Sequence, residues 1–187
     1  MMARLPYGDL DALSPEVRAQ VKLFGDSNID RMLAHADAVV GPVLETRFVM
    51  LAESALDPRL REMVILLIAH HCHCAYEAAQ HEGLVQKVGL TQAQQDALAA
   101  ERLTDPVFTD AERAVLDLVA AALANQGDVS DQVFDRAYRY LDDRAVVELM
   151  IVVALYSGLA ILLNTLQVDI ETATRTRVAA ADHRRAV

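Results

Sequence analysis

Apolar positions recur at three- and four-residue spacing along most of the chain, which is the pattern of amphipathic helices. Ser14-Pro15 reads as a helix start, because Ser can cap and Pro suits the first turn. That helix runs to about Phe24, and Gly25-Asp26-Ser27-Asn28 forms a loop. A second helical region covers about 29–53, punctuated by Gly41-Pro42. Asp57-Pro58 opens the next helix, with an apolar stretch from Met63 to Ala69, and Gly83 and Gly89 mark an exit and a turn. Thr91-x-x-Gln94 and Thr109-x-x-Glu112 read as capping boxes. Gly127 closes the helix begun near Asp110, and Ser130 starts a short one to about Leu141. Asp142-Asp143 open a last long helix reaching about Glu171. The expectation is an all-α fold of about seven helices, as one helical domain over residues 1–174 with a flexible basic tail at 175–187.

The chain contains a faint internal echo. Leu56-Asp57-Pro58-Arg59 precedes Glu62 and an apolar run, and Leu141-Asp142-Asp143-Arg144 precedes Glu148 and another. Two similar halves, each with a central buried helix, follow from this. The second copy lacks Cys and His, so chemistry is expected in the first.

Composition narrows the function classes. Apolar residues make up 53% of the 187, with aromatics at 5% and no Trp, so the core is aliphatic. A net charge of -10 repels phosphate backbones and argues against nucleic acid. The one basic stretch is the tail, with Arg175, Arg177, Arg184 and Arg185. Cys72 and Cys74 are the two cysteines, too few for a disulfide framework, which suits a reducing cytoplasm. The N-terminus lacks the apolar run of a signal peptide. The run Leu149–Leu163 is shorter than the ~20 residues of a membrane span and reads as a buried helix.

Candidate chemistry concentrates in Glu62 to His81. Cys74, Glu77 and His81, three and four apart, share one face of a helix beginning at Cys74. His81 could then take the Cys74 proton, directly or through water, while Glu77 orients the imidazole. Glu62 lies twelve residues before Cys74, ~18 Å away on a straight helix, so a shared site requires a break near His70-His71-Cys72-His73. Such a break places Cys74 at a helix N-terminus, where the dipole would lower its pKa and make it alkylate faster than Cys72. An unbroken helix would instead align His70, Cys74, Glu77 and His81 as a metal stripe. Cys72 reads as a core cysteine, and Tyr76 and Tyr156 as packing residues.

Three segments together resemble the carboxymuconolactone decarboxylase-like superfamily, which includes alkylhydroperoxidase D. They are Leu60-Arg61-Glu62-Met63-Val64-Ile65-Leu66; Cys74-Ala75-Tyr76-Glu77-x-x-x-His81 with Val88-Gly89-Leu90-Thr91; and Val147-Glu148-Leu149, Tyr156 and Leu163-Asn164-Thr165-Leu166. The match spans roughly residues 30–170. The resemblance implies an alkylhydroperoxidase D-like helical bundle, cofactor-free, assembled as a dimer, trimer or hexamer. It places Glu62, Cys74 and His81 at the positions of the peroxidase branch's proton relay. Glu77 stands where that branch has its second, peroxide-attacking cysteine.

The leading expectation is a thiol-based oxidoreductase with peroxiredoxin-type antioxidant activity. Cys74 is its thiol, His81 its base, and Glu62 and Glu77 its orienting carboxylates. Its partners would be a small-molecule substrate and an external thiol reductant, since no resolving cysteine is evident, with no metal, nucleic acid or membrane. The alternatives are a decarboxylase or isomerase acting on a small oxo-acid or lactone through His81 and the carboxylates, and a non-enzymatic helical assembly module.

Overall fold

A computed structural model describes residues 3–171, so the basic tail expected at 175–187 lies outside the described residues. Nine α-helices and one short 3-10 turn (Leu10–Ala12) make up the described chain: α1 Pro15–Phe24, α2 Asn28–Leu33, α3 Asp37–Ala52, α4 Pro58–His71, α5 Ala75–Lys87, α6 Gln92–Ala99, α7 Asp110–Ala124, α8 Asp131–Tyr138 and α9 Asp143–Leu166. No strand occurs among the described residues. The all-α class is as expected, and the two helices beyond seven come from breaks at 34–36 and at 72–74.

The described chain divides into two compact units, one of residues 3–53 with 162–171 and the other of residues 54–161. In the first, α3 packs against α1 and α2. Gly41 makes the α1–α3 approach close, because a Cβ there would stand 3.1 Å from Val17 Cγ2. The helical region expected as one piece over 29–53 is broken at 34–36, and Gly41-Pro42 lies inside α3 instead. The break falls at Ala36, whose non-helical φ of -109° and ψ of 65° cap α3. The Arg47–Asp30 ion pair of 2.9 Å holds α3 to α2, with the Asp30 side chain fully buried.

In the second unit α4 is central. Every residue from Arg61 to Ala69 is buried, and α5, α6 and α7 pack around it. A helix apolar on all sides belongs in such a position. Asp57 caps it by accepting from Leu60 N–H at 3.0 Å, with Pro58 in the first turn. Asp142 does the same for Ala145 N–H at 2.8 Å before α9. The two echoed tetrapeptides are therefore two equivalent helix starts. Arg59 fastens the start of α4 to Glu112 of α7 and, at 2.8 Å, to Gln94 Oε1 of α6. Both partners of Arg59 belong to the capping boxes at Thr91 and Thr109.

Two helix ends differ from expectation. Gly83 lies inside α5, which runs on to Lys87 before Gly89 at φ +78° turns the chain. The last helix stops at Leu166, short of Glu171, because Gln167 adopts φ +52°. At 24 residues, with an 18-residue stretch of mean hydropathy 2.5, α9 is long and apolar enough to cross a bilayer by length and composition, although its uninterrupted apolar part is shorter; 44% of that stretch is buried within the protein.

Candidate functional site

The break between α4 and α5 is a Schellman turn. Cys72 ends α4, His73 adopts φ +51°, and two bonds close the loop: His73 N–H to His70 O at 2.9 Å and Cys74 N–H to Ala69 O at 2.7 Å. The chain thus reverses sense at one residue and starts α5 at Ala75. The expected change of direction lies here, and it brings α5 back along α4.

The reversal sets His81 beside Glu62. His81 Nδ1–H donates to Glu62 Oε2 at 2.7 Å, with both residues buried. Because a carboxylate can only accept, the proton belongs on Nδ1 and Nε2 carries the lone pair. Glu62, one of the two carboxylates expected to orient the imidazole, is the one bonded to Nδ1. Arg61 Nε lies 3.7 Å from the other Glu62 oxygen and keeps that carboxylate company in the core. Tyr156 of α9 meets the His81 ring edge-on, with centroids 5.4 Å apart and planes at 78°. Its T-shaped contact fixes the ring against rotation. Tyr156, expected as a packing residue, is thus part of the site wall, 75 residues away in sequence from its partner.

Cys74 is 1% exposed and precedes the first residue of α5. Burial pushes its thiol up to about 11, and the Glu77 carboxylate pushes the same way; the backbone amides of Glu77 and Tyr76 act against them without prevailing. This corrects the expectation that the helix dipole would yield a low-pKa thiolate. A thiolate removed from water loses more than a helix terminus returns. Cys72, half-buried, is also pushed up, first by burial and then by Glu77 and Glu101. The more exposed Cys72 should therefore alkylate first in the resting protein, which a time course with iodoacetamide and peptide mapping will show; faster labelling of Cys74 would restore the dipole argument.

A pH effect on stability follows. Between about pH 9 and about pH 11 the unfolded chain releases the Cys74 proton while the folded chain keeps it, so stability falls as pH rises. The protection present below that window is worth roughly 2–3 kcal/mol. Urea unfolding at about pH 8 and about pH 10.5 should show wild type losing this margin relative to Cys74→Ala; parallel losses in both proteins would contradict it.

Glu77 is 4% exposed, three residues into α5 from Cys74, where the helix N-terminus favours its charge. The histidines before the turn form a separate group. His71 Nδ1 lies 3.3 Å from Glu101 Oε2, and burial lowers the pKa of half-buried His70 against the pull of Glu101. The turn takes His70 off the face shared by Cys74, Glu77 and His81, so the metal stripe of an unbroken helix does not form. Among the described residues no group of three or more His, Cys, Asp or Glu side chains is placed to hold a metal ion.

Residues 38–121 match the carboxymuconolactone decarboxylase family. This segment contains Glu62, Cys74, Glu77 and His81. No curated protein matches the sequence. Among solved structures, the chain is similar to an uncharacterized peroxidase-related protein with an alkylhydroperoxidase AhpD core from Ralstonia eutropha, at 18% identity and TM-score 0.80, covering 93% of this chain and 95% of that one. A debrominase in complex with 2,3,4-tribromopyrrole aligns at 18% identity and TM-score 0.73, covering 96% of each chain. An uncharacterized peroxidase-related protein from Silicibacter aligns at 15% identity and TM-score 0.75, covering 92% of this chain and 93% of that one. At such identities the structures share the fold: the chain has an alkylhydroperoxidase D-like helical architecture, and its segment 38–121 is similar to the carboxymuconolactone decarboxylase family.

Proposed function

We propose that the protein is a thiol-based oxidoreductase of the hydroperoxidase type, in which Cys74 is the reacting sulfur and the Glu62–His81 pair moves the proton. The observation that carries this is the buried 2.7 Å bond between His81 Nδ1 and Glu62. It fixes Nε2 as the basic nitrogen on the same helix that begins at Cys74. Seven residues of α5 separate the two Cα atoms by ~10 Å, so a water or the substrate's own oxygen relays the proton. A thiol pushed up to about 11 is neutral at rest, and a base that acts only as sulfur attacks suits it better than a standing thiolate.

In the reaction, Cys74 sulfur attacks the outer peroxide oxygen and the O–O bond breaks. The hydroperoxide leaves as an alcohol carrying the thiol's proton by way of His81, and sulfenic acid remains on Cys74. Two equivalents of thiol then return the sulfur to its reduced form, releasing water and a disulfide. The test is turnover of an organic hydroperoxide with dithiothreitol. Wild type should consume it and Cys74→Ser should not; full activity in Cys74→Ser overturns the reading. The presence of a debrominase among the structural neighbours makes a halogenated aromatic a second electrophile to assay.

A second reading is favoured by the neutral Cys74 and by Glu77 at the family's second cysteine position. There His81, Glu62 and Glu77 perform acid–base decarboxylation or isomerisation of a small oxo-acid or lactone, and Cys74 packs the turn. Activity kept in Cys74→Ser but lost in His81→Gln supports it. A wild type that turns over no substrate of either class leaves the assembly module.

We also infer a homo-oligomer. Val147, Ile151, Ala154, Gly158 and Ile161 are exposed along α9 at alternating spacings of four and three, the period of a helix–helix seam. Val147 is 60% and Ile161 67% exposed. Light scattering at low micromolar concentration should find an assembly that Ile151→Glu dissociates. A wild-type monomer would overturn the inference.

A further inference from the structure

The α4–α5 turn holds a second sulfur that the proton-transfer pair does not use. Cys72 and Cys74 flank a single residue, His73, at φ +51°. The two turn bonds, from His73 N–H and Cys74 N–H, fix the backbone on both sides of it. On a continuous right-handed helix, side chains two apart diverge by ~200°. The left-handed residue between the cysteines removes that regular divergence. It also keeps their Cα atoms at about 5.4 Å, the two-residue separation of a helix of either hand. That spacing lies inside the ~4.4–6.8 Å range of disulfide-linked residues.

Burial distinguishes the two sulfurs. Cys74 is enclosed at the start of α5, on the helix that carries His81, whereas Cys72 is half-buried at the end of α4. Each cysteine can thus take a different partner: the enclosed sulfur faces the small substrate and the outer sulfur faces a reductant. The proximity of the sulfurs is felt electrostatically, since charge on Cys72 disfavours charge on Cys74.

We propose that Cys72 and Cys74 are a redox dithiol, with Cys72 the resolving thiol that closes a disulfide across His73. The inference rests on the thiol reading of the site and supplies the step that reading leaves to an outside thiol. Cys74 sulfenic acid condenses with the Cys72 thiol: an S–S bond forms, the S–O bond breaks, and the hydroxyl leaves as water with the Cys72 proton. An external dithiol then attacks Cys72 sulfur. Cys74 departs as the leaving group and regains its proton from His81. The second thiol of the reductant displaces Cys72 and closes the reductant's own disulfide. Two electrons pass from the dithiol to the hydroperoxide. A ring this small is strained, and strain makes a disulfide easier to reduce, which suits a bond opened on every cycle.

The experiment is oxidation of the full chain with diamide, which needs no peroxide chemistry, followed by non-reducing peptide mass spectrometry. The expected product has lost two hydrogens per chain, carries no alkylatable thiol, and maps to a 72–74 link. In cumene hydroperoxide, Cys72→Ser should instead accumulate a dimedone-trapped sulfenic acid at Cys74. Its steady-state turnover with dithiothreitol at low concentration should fall at least ten-fold. Diamide-treated wild type that retains both thiols, or forms only links between chains, overturns the proposal, as does Cys72→Ser turning over at the wild-type rate. If the 72–74 link forms with diamide but no hydroperoxide is consumed, the dithiol stands and the peroxidase reading falls.

Discussion

Glu62→Gln and His81→Gln should each slow hydroperoxide-driven oxidation of Cys74 by about 10²- to 10⁴-fold, the range that a positioned general base contributes. The reasoning begins with burial. His81 Nδ1–H donates a hydrogen bond of 2.7 Å to the buried Glu62 carboxylate. When Nε2 takes the Cys74 proton, the ring becomes cationic, and the Glu62 charge beside it offsets the cost of a cation out of water. A Gln at 62 removes that charge, and if its amide turns NH2 toward Nδ1 it also moves the ring proton to Nε2 and abolishes the base. His81→Gln removes the base outright. Glu77→Gln should act in the opposite sense on the thiol itself. Glu77 raises the Cys74 pKa, so its neutral isostere should speed alkylation of Cys74. Rapid-mixing measurement of sulfenic acid formation, with iodoacetamide kinetics alongside, checks all three. An unaltered oxidation rate in Glu62→Gln would remove the carboxylate from the mechanism.

The features that sequence reading located are those written in side-chain chemistry near the backbone. Ser14, Asp57, Thr91 and Thr109 accept backbone N–H groups at the starts of their helices, and capping residues declare themselves by type. Helix ends were less legible. His73, Glu101, Gln126 and Gln167 all take positive φ although none is the glycine that usually marks such a turn. Gln167 accordingly stopped α9 ahead of Glu171, and Gly83, read as an exit, stayed helical. The α4–α5 break was legible by a different route: Glu62 and Cys74 could serve one site only if the helix between them turned. What no local pattern carried was burial. The Cys74 pKa follows from how completely other helices enclose the turn, and Tyr156 reaches His81 from a helix whose register against α5 is a tertiary fact.

His73 is where the fold makes the site, so proline and glycine there should have opposite effects. Proline locks φ near -65°, whereas this position needs +51°. It also removes the His73 N–H that bonds His70 O at 2.9 Å. The loss should cost about 3 kcal/mol or more. With the turn gone, α5 would no longer fold back along α4, and the Glu62–His81 bond would go with it. Glycine takes the left-handed conformation without the Cβ penalty of about 1 kcal/mol that His73 bears. Part of that gain is returned as extra freedom in the unfolded chain, so His73→Gly should match or exceed wild-type stability by up to about 1 kcal/mol. The glycine variant also tests whether the His73 imidazole itself matters, since it keeps the turn and deletes the ring. Urea midpoints for the two variants, read beside Cys74 oxidation rates, make the comparison. The expected result is a destabilised, inactive His73→Pro and a stable, active His73→Gly. A proline variant as stable as the glycine one would mean that the left-handed turn is not what holds α4 and α5 together.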